Sequence, residues 1–335
     1  MKLLIVTQKV DNQDPILGFF CGWIAEFAQS VPVTVIAQSV GQHTLPPSVN
    51  VLSLGKESGA TKLQQIARFW SRIWAERLQY DRVFVHMTPI WVILGAPVWV
   101  LLRKRVHLWY EIKRGSVKFA IAKRFACTVF AATSHGVPGH VSNLRVVGHG
   151  IDTVVFHPDA AKRDPNLIVA VGRITQVKRY DVILDAFAGL PSSCRLKIAG
   201  DTITHADHDE YARLLKRIAA RWLTGRVETG WVSPDRMPEL LQRATLMLHA
   251  SEGGLDKVVL QSMACGCPVV SVSEAAQSVL PESCRATADT LAMQAAKILA
   301  LSEAERQKLE KELCSVVLRD HDLRRCIASM IAYMQ

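Results

Sequence analysis

Two short stretches in the second half of the chain place cations and glycines where they could bind a phosphorylated ligand. In VGRITQVKRYD (171–181), Gly172 and Arg173 follow an apolar run, and Lys178 precedes a helical pattern that begins near Asp181. An arginine fork, a lysine point charge and the positive end of a helix dipole together suit a diphosphate. A solvated loop with ordinary surface cations is the alternative interpretation of this stretch.

The second stretch is SEGGLDKVVLQSMACGCPVV (251–270). Gly253 and Gly254 allow a ligand to approach the backbone closely. Asp256 and Lys257 stand at the start of a helical pattern, whose first amides can bind a phosphate or sugar hydroxyls. A helix cap and a tight turn before a buried helix would use the same residues, so neither stretch is decisive by itself.

The elements that position these stretches follow from the hydrophobic pattern. Apolar runs alternate with helical patterns, which predicts doubly wound α/β domains with parallel sheets. The stretch VFHPDAAKRDPN (155–166) breaks this alternation and is typical of a linker. We expect two Rossmann-like domains, with the ligand at the carboxyl ends of the strands in the cleft between them. The predicted strands cover residues 3–7, 33–38, 49–54, 82–87, 106–111, 128–133 and 144–150, then 167–172, 196–200, 227–232, 246–250 and 268–273.

Together, the two stretches resemble the retaining glycosyltransferases of family 4 (group 1), which have the GT-B fold. VVGHGIDTVVFHP (146–158) is similar to the interdomain signature of that family, and QSMACGCPVV (261–270) to the end of its C-terminal motif. The resemblance implies an α/β protein of two Rossmann-like doubly wound domains facing each other across a cleft. It implies an acceptor-side domain over 1–160, a donor domain over 161–321, and a C-terminal helix (322–335) that packs back on the first domain.

The resemblance also implies roles for residues. Arg173 and Lys178 would bind the diphosphate of a nucleotide diphosphate sugar, the co-substrate, with no metal and no other cofactor. Fixed cations would stabilise the charge that develops on the leaving diphosphate as the anomeric carbon becomes oxocarbenium-like. The expected donor-binding residues are Gly18, Arg173, Lys178, Trp231, Glu252, Gly253, Gly254, Leu255, Asp256, Lys257, Val258 and Gln261.

The family motif Glu-x7-Glu is substituted in this chain. Gly253 and Gln261 occupy the two acidic positions, and Glu252 is one residue away from the first. A glutamine offers the ribose one neutral acceptor and a donor in place of a carboxylate, which would weaken nucleotide binding by on the order of 1 kcal/mol. Asp256 and Lys257 are candidates to replace the missing carboxylate, and Asp256 is a candidate catalytic residue.

Two further catalytic candidates lie in the first domain. His86 ends the strand VFVHM, where a structural histidine is an equally open interpretation. Glu111 lies at a strand end where the family commonly carries a histidine. In the second domain, HADHDEY (205–211) has the residue types of a metal site, but we interpret its acids as caps of the following helix.

The formal net charge of +10 requires an acidic partner: a nucleic acid, a membrane face or phosphorylated substrates. No nucleic-acid-binding motif is present. The apolar segment 89–105 is too short to cross a bilayer and predicts a buried helix, whereas the basic cluster 103–124 suits an anionic membrane surface. The N-terminus does not have the pattern of a signal peptide, and the scattered cysteines are typical of reduced thiols. We expect a cytoplasmic protein, with the inner face of the membrane as a further option.

These features predict a glycosyltransferase that transfers a sugar, with retention and without a metal, to an acceptor that is a glycan, free or lipid-linked. A catalytically degenerate nucleotide-sugar-binding or scaffolding protein of the same fold is the main alternative. A sugar-nucleotide epimerase is a weaker third hypothesis, because HGID (149–152) and the opening of 251–270 fit transferases better.

Overall fold

A computed structural model describes residues 1–113 and 115–335 and divides the chain into two compact units. The first unit comprises Met1–Gly150 and Leu323–Gln335, and the second comprises Ile151–Asp322. Each unit is built on one parallel sheet, as the alternation of strands and helices predicts.

The first unit contains a seven-stranded parallel sheet in the order β3-β2-β1-β4-β5-β6-β7. Its strands are β1 (Leu3–Val10), β2 (Val33–Val40), β3 (Asn50–Ser53), β4 (Arg82–His86), β5 (Arg105–Trp109), β6 (Thr128–Ala131) and β7 (Leu144–Val146). Its helices are α1 (Phe19–Ser30), α2 (Lys62–Ala75), α3 (Pro89–Leu101), α4 (Val117–Ala122) and α12 (Leu323–Met334).

Helices cover both faces of this sheet. Helices α1 and α12 share one apolar core with the strands, and α2, α3 and α4 share the other. Leu3 and Ile5 of β1 enter the first core, whereas Leu4 and Val6 enter the second, because successive side chains of a strand point to opposite faces. Burial on both faces explains why the strands are continuous apolar runs.

The second unit contains a five-stranded parallel sheet in the order β10-β9-β8-β11-β12. Its strands are β8 (Asp164–Val171), β9 (Arg195–Ala199), β10 (Val227–Gly230), β11 (Ala244–His249) and β12 (Val269–Ser271). Its helices are α5 (Tyr180–Ala188), α6 (His205–Ala220), α7 (Met237–Arg243), α8 (Lys257–Ala264), α9 (Glu274–Gln277), α10 (Leu291–Leu299) and α11 (Glu303–Asp320).

Every predicted strand is present, although the structure shifts several ends. β7 ends at Val146, well before its predicted end at 150, and β8 starts at Asp164 and therefore includes the end of the segment predicted as a linker. Ala244 of β11 pairs with Asp164, so this polar segment already belongs to the ladder. Pro165 is tolerated there because it is next to the first residue of the strand.

The compact units divide between Gly150 and Ile151, rather than at residues 160 and 161. Ile151 donates its amide to the His321 carbonyl (2.7 Å) and bridges to Asp322, and Phe156 is part of the core of the second unit. These contacts attach the predicted linker to the second unit. Helix α12 lies in the first unit, where Arg82 donates to the Met334 carbonyl (2.6 Å).

Helix α3 packs one side into the core, as predicted for segment 89–105, and it ends at Leu101, which is exposed. Trp91 and Trp99 lie in the core, and the Trp99 indole donates to the Tyr80 hydroxyl (3.2 Å). Across 1–113 and 115–335, no helix is both long enough and apolar enough to cross a membrane.

Candidate functional site

The first element of the candidate site is the loop that joins β8 to α5. Gly172 has a φ of 147°, which favours glycine strongly. Its amide donates to the Ala199 carbonyl (3.0 Å), and its carbonyl accepts the Tyr180 hydroxyl (2.6 Å). A Cβ at Gly200 would overlap the Gly172 carbonyl oxygen, so two glycines let the ends of β8 and β9 meet closely. The backbone of this loop is therefore fixed.

The second element is the loop that joins β11 to α8, and it interlocks with the first. The Glu252 amide donates to the Val177 carbonyl (3.0 Å), and Arg179 donates to the Glu252 carboxylate (2.6 Å). Lys178 forms an ion pair with Asp256. Because β8 and β11 are neighbours in a parallel sheet, both loops lie at the same edge. The structure thus brings together the two stretches that the sequence singles out.

Asp256 lies at the centre of this arrangement. Its Oδ2 contacts the ammonium of Lys178 and the Nε2 atom of His249 (2.9 Å). His249 is 3% exposed, and its Nδ1 lies 2.8 Å from the Ser271 hydroxyl. A carboxylate can only accept, so a neutral His249 donates from Nε2 and accepts from Ser271 at Nδ1. The result is a hydrogen-bonded chain from Ser271 through His249 to Asp256, which we call the Asp256 network.

The Asp256 network determines the charge of the site. Burial alone would raise the pKa of Asp256, but the hydrogen bond from His249 and the charge of Lys178 outweigh it and hold that pKa well below its usual range. Asp256 is therefore ionised near neutral pH, and Lys178 is held in place by an anion. A phosphorylated ligand at Lys178 would share this cation with Asp256.

Arg173, the other predicted diphosphate ligand, faces the start of α6. Its Nε lies 3.8 Å from a carboxylate oxygen of Asp207, and its side chain is 47% exposed. Asp207 forms a capping box with Thr204, so one acid of HADHDEY (205–211) does cap a helix, but the stretch forms the first turns of that helix rather than a loop before it. In the described parts of the chain, no group of three or more His, Cys, Asp or Glu side chains is arranged to hold a metal.

The remaining donor-side candidates lie along the second loop and α8. Gly253 and Gly254 do not have positive φ, so a left-handed turn is not the reason for these glycines. Leu255 is buried, whereas Lys257, Val258 and Gln261 are half-buried positions of α8. Trp231 follows β10 and is 48% exposed.

In the first unit, His86 is an interior residue. It is 1% exposed, its ring stacks on Phe20 at 3.9 Å between centroids, and its Nδ1 lies 3.4 Å from the Thr7 hydroxyl. These contacts match the structural interpretation of a histidine at a strand end. The predicted catalytic role has no support from its position, because the ring is enclosed by the aromatic side chains of α1.

Glu111 lies just beyond β5 in an enclosed position. Its Oε2 accepts the Ala132 amide (2.7 Å), while Oε1 is buried and has no hydrogen-bond partner among the described residues. Within the same described part of the chain, the buried Thr133 hydroxyl has no partner either, and a Cβ at Gly136 would overlap the Glu111 carboxyl group. Burial raises the pKa of Glu111 to about 7, against the effect of the Ala132 and Thr133 amides. Glu111 can therefore hold a proton near neutral pH.

Gly18 immediately precedes α1. A Cβ there would lie 2.7 Å from the carbonyl oxygens of Asn12 and Asp14, so the glycine is required by the packing of its own loop. This local requirement accounts for Gly18 whether or not a donor phosphate approaches it.

The basic cluster 103–124 is spread over the end of α3, β5 and α4. Lys104 is used structurally, because its ammonium donates to the Tyr80 carbonyl (2.5 Å) and contacts the Tyr80 ring. Lys118 and Arg124 are exposed. Arg114, which belongs to the predicted cluster, lies outside the described residues.

His249 is the site residue that sequence reasoning missed. It ends the otherwise apolar strand LMLH, and a buried polar residue at the carboxyl end of a parallel strand was the available signal. Its partners are 7 and 22 residues away in sequence, so no local pattern connects them.

Known proteins resemble this chain in a sequence family and in the fold. Residues 165–307, most of the second unit, match the family model described as glycosyl transferases group 1. No curated protein gives a significant match. The chain therefore carries a group 1 glycosyltransferase domain, and the predicted enzyme class is confirmed at the level of this domain.

Solved structures align with almost the whole chain. HepE of Anabaena in complex with UDP superposes with a TM-score of 0.77 at 18% identity, covering 99% of both chains, and it has also been solved with UDP-glucose. Sucrose-phosphate synthase of Thermosynechococcus elongatus gives a TM-score of 0.79 at 17% identity, covering 99% of this chain and 98% of that one. The lipopolysaccharide outer core galactosyltransferase WaaB gives 0.70 at 15% identity, covering 99% of both. The predicted GT-B fold, with two Rossmann-like parallel-sheet domains, is confirmed.

Proposed function

We propose that this protein is a retaining glycosyltransferase of family 4 that transfers a sugar from a nucleotide diphosphate sugar to an acceptor without a metal. The observation that carries the proposal is the interlocking of the 172–179 and 251–257 loops, which brings Lys178 and Asp256 together inside the segment that matches group 1 glycosyl transferases. The first unit would hold the acceptor, and the second would hold the donor.

Each residue of the site has a chemical role in this proposal. Lys178 and Arg173 would bind the diphosphate and stabilise its growing charge as the glycosidic bond breaks. Asp256 would accept hydroxyl hydrogen bonds of the sugar through Oδ1, since Oδ2 is occupied by Lys178 and His249. This use of Asp256 would replace the family glutamate that is absent at Gly253. Gln261, at the position of the second family glutamate, would face the ribose. His249 is a positioning residue for Asp256.

The test is consumption of a panel of nucleotide sugars by the full chain, beginning with UDP-glucose because HepE has been solved with it. We expect Lys178→Ala to lower kcat/KM by roughly 100-fold, because a fixed cation is lost where transition-state charge develops. Arg173→Ala should reduce it as well. Lys197→Ala, at a lysine of β9 that pairs with Glu228, is the matched control. Equal activity of wild type and Lys178→Ala would refute the site assignment.

A nucleotide-sugar-binding or scaffolding protein without turnover is a second candidate, and the observation that favours it is the presence of Gly253 and Gln261 at the two acidic positions of the family motif. Isothermal titration with UDP and GDP, beside the consumption assay, separates the two. Tight binding without consumption of any donor would support the binding protein.

For the acceptor we propose a glycan, free or lipid-linked, and for the place of action the cytoplasmic face of a membrane. WaaB, a lipopolysaccharide outer core galactosyltransferase of similar fold, supports a glycan acceptor. The basic cluster 103–124 supports a membrane partner by its charge, because anionic lipid attracts such clusters.

A further inference from the structure

The layer formed by α2, α3 and α4 has an apolar outer surface in addition to its apolar inner one. The inner faces are already satisfied, because Phe69, Trp99 and Phe119 are buried against the sheet. On the outside, Trp74 is 47% exposed, Leu78 76% and Leu101 72%. We refer to this outer side, together with the turns after α2 and α4, as the α2–α4 surface.

The exposed apolar residues of α2 form one stripe. Leu63, Trp70 and Trp74 follow a spacing of seven and four residues, so they lie on the same side of the helix, and Leu78 continues the stripe in the turn beyond Ala75. The Trp70 indole donates to the Leu94 carbonyl of α3 (2.8 Å), which places the edge of the stripe against α3. The basic cluster predicted from the sequence, 103–124, does not include α2.

The excess positive charge of the chain lies in the segment that contains this layer, although that segment also includes β4 and β5. Residues 60–127 contain thirteen Lys and Arg against three Asp and Glu, a net charge of +10, which equals the formal charge of the whole chain. Arg72 of α2, Lys118 of α4 and Arg124 in the turn after α4 are exposed. Outside this segment, the cations and anions of the chain balance.

We infer that the α2–α4 surface docks on an anionic lipid bilayer, with α2 as the main inserting element. A surface of this kind, with exposed indoles and aliphatic side chains among cations, binds well to an anionic bilayer. The apolar groups enter the headgroup boundary, while the cations remain at the charged surface. The Arg77 guanidinium lies over the Trp74 ring, 4.9 Å from its centroid, so a cation is in contact with a side chain that would insert. A nucleic acid would satisfy the cations but offers no apolar interior for the aliphatic residues.

This inference deepens the proposed membrane location but does not rest on transfer activity, so the two can fail separately. The test is flotation of the full chain with phosphatidylcholine vesicles and with equimolar phosphatidylcholine–phosphatidylglycerol vesicles. We expect binding to the anionic vesicles alone and its loss at high salt. Trp74→Ser with Leu78→Ser should weaken it by about tenfold or more, and so should Arg72→Gln with Lys118→Gln and Arg124→Gln.

Matched controls lie on the second unit. Trp222→Ser removes an exposed indole, and Lys216→Gln with Lys308→Gln and Lys311→Gln removes three exposed cations. Both controls should bind as the wild type does. Thermal unfolding of each variant checks that it is folded, and quenching of tryptophan fluorescence by brominated lipid, lost in Trp74→Ser with Leu78→Ser, reports insertion.

Three outcomes would overturn the inference. The wild type could fail to float with anionic vesicles, or the control variants could lose binding as much as the α2–α4 variants. The third is binding of a DNA or RNA oligonucleotide without binding of anionic vesicles, which would assign the surface to nucleic acid.

Discussion

At the scale of single residues, Asp256 is the group around which the candidate site is arranged. Its Oδ2 is engaged by a lysine and a histidine at once, and the histidine is in turn oriented by Ser271. A carboxylate with two such donors has little freedom to rotate, so its remaining oxygen points in a defined direction. A fixed Oδ1 direction is required if Asp256 is to replace the family glutamate that is absent at Gly253.

His249→Ala tests that arrangement. Removing a donor to the charged carboxylate should raise the pKa of Asp256, so the acid limb of the pH profile of kcat/KM should move to higher pH. We expect kcat/KM near neutral pH to fall by roughly tenfold, in line with the loss of one charge-assisted hydrogen bond. Donor consumption measured across pH checks this.

His205→Ala, at the exposed first position of α6, is the control for His249→Ala. A uniform loss of activity with an unchanged profile would show that His249 is merely structural. Ser271→Ala should shift the profile in the same direction by less, because His249 would keep its contact with Asp256.

Glu111 predicts a pH-dependent stability of the first unit. Its folded pKa of about 7 exceeds the ordinary value of 4.5, so between these values the folded state binds a proton that the unfolded state releases. Stability should therefore fall as pH rises through this window, and Glu111→Gln should remove that fall, which we expect to be on the order of 2 kcal/mol.

Denaturant unfolding followed by tryptophan fluorescence measures this effect, since six of the eight tryptophans lie in the first unit. Glu239→Gln, at an exposed position of α7, controls for the amide substitution. If wild type and Glu111→Gln differed by the same amount at both ends of the window, the buried carboxyl would not be the cause.

At the scale of elements, the site depends on how closely β8 and β9 end beside each other. Gly200→Ala would place a methyl group against the Gly172 carbonyl, which is backbone and cannot rotate away. The β8–α5 loop, with Lys178, would have to move. We expect a loss of roughly 1–3 kcal/mol of stability and a clear rise in the KM for the donor.

Gly225→Ala is the matched control for Gly200→Ala, because a Cβ at Gly225 meets no atom within 4 Å. Denaturant unfolding of both variants measures the change in stability, and activity at varied donor concentration measures the change in KM. Wild-type KM in Gly200→Ala would show that the loop position does not depend on this contact.

The elements themselves were largely predictable from the sequence. The buried strands of parallel sheets are short apolar runs, and each of the twelve runs became a strand. The contacts of the site were less accessible. The loops could be located by their glycines and cations, but the pairing of Arg173 with Asp207 and of Lys178 with Asp256 depends on which strand ends are neighbours. Strand order is not contained in any local pattern, and the sequence left open whether His86 was structural or catalytic.

At the scale of the whole molecule, the two units differ in charge as well as in fold. The excess positive charge lies in residues 60–127 of the first unit, which include α2, α3 and α4, whereas Lys178 and Arg173 of the second unit are paired with Asp256 and Asp207. We therefore expect salt to weaken vesicle binding, which depends on exposed cations of the first unit. Salt should affect the ion pairs of Lys178 and Arg173 less, because their charges are close together and partly buried.

The chain leaves the first unit at Gly150 and returns to it at Leu323. During synthesis, the second unit is therefore made in full before the helix that completes the core around Trp23 and Phe27 exists. Until α12 is made, one face of the first unit's sheet lacks part of its helical cover, although the residues of this sheet are synthesised first. The second unit, which is continuous in sequence, can fold as soon as it leaves the ribosome. The first unit, although translated first, can therefore complete its core only after the whole of the second unit has been made.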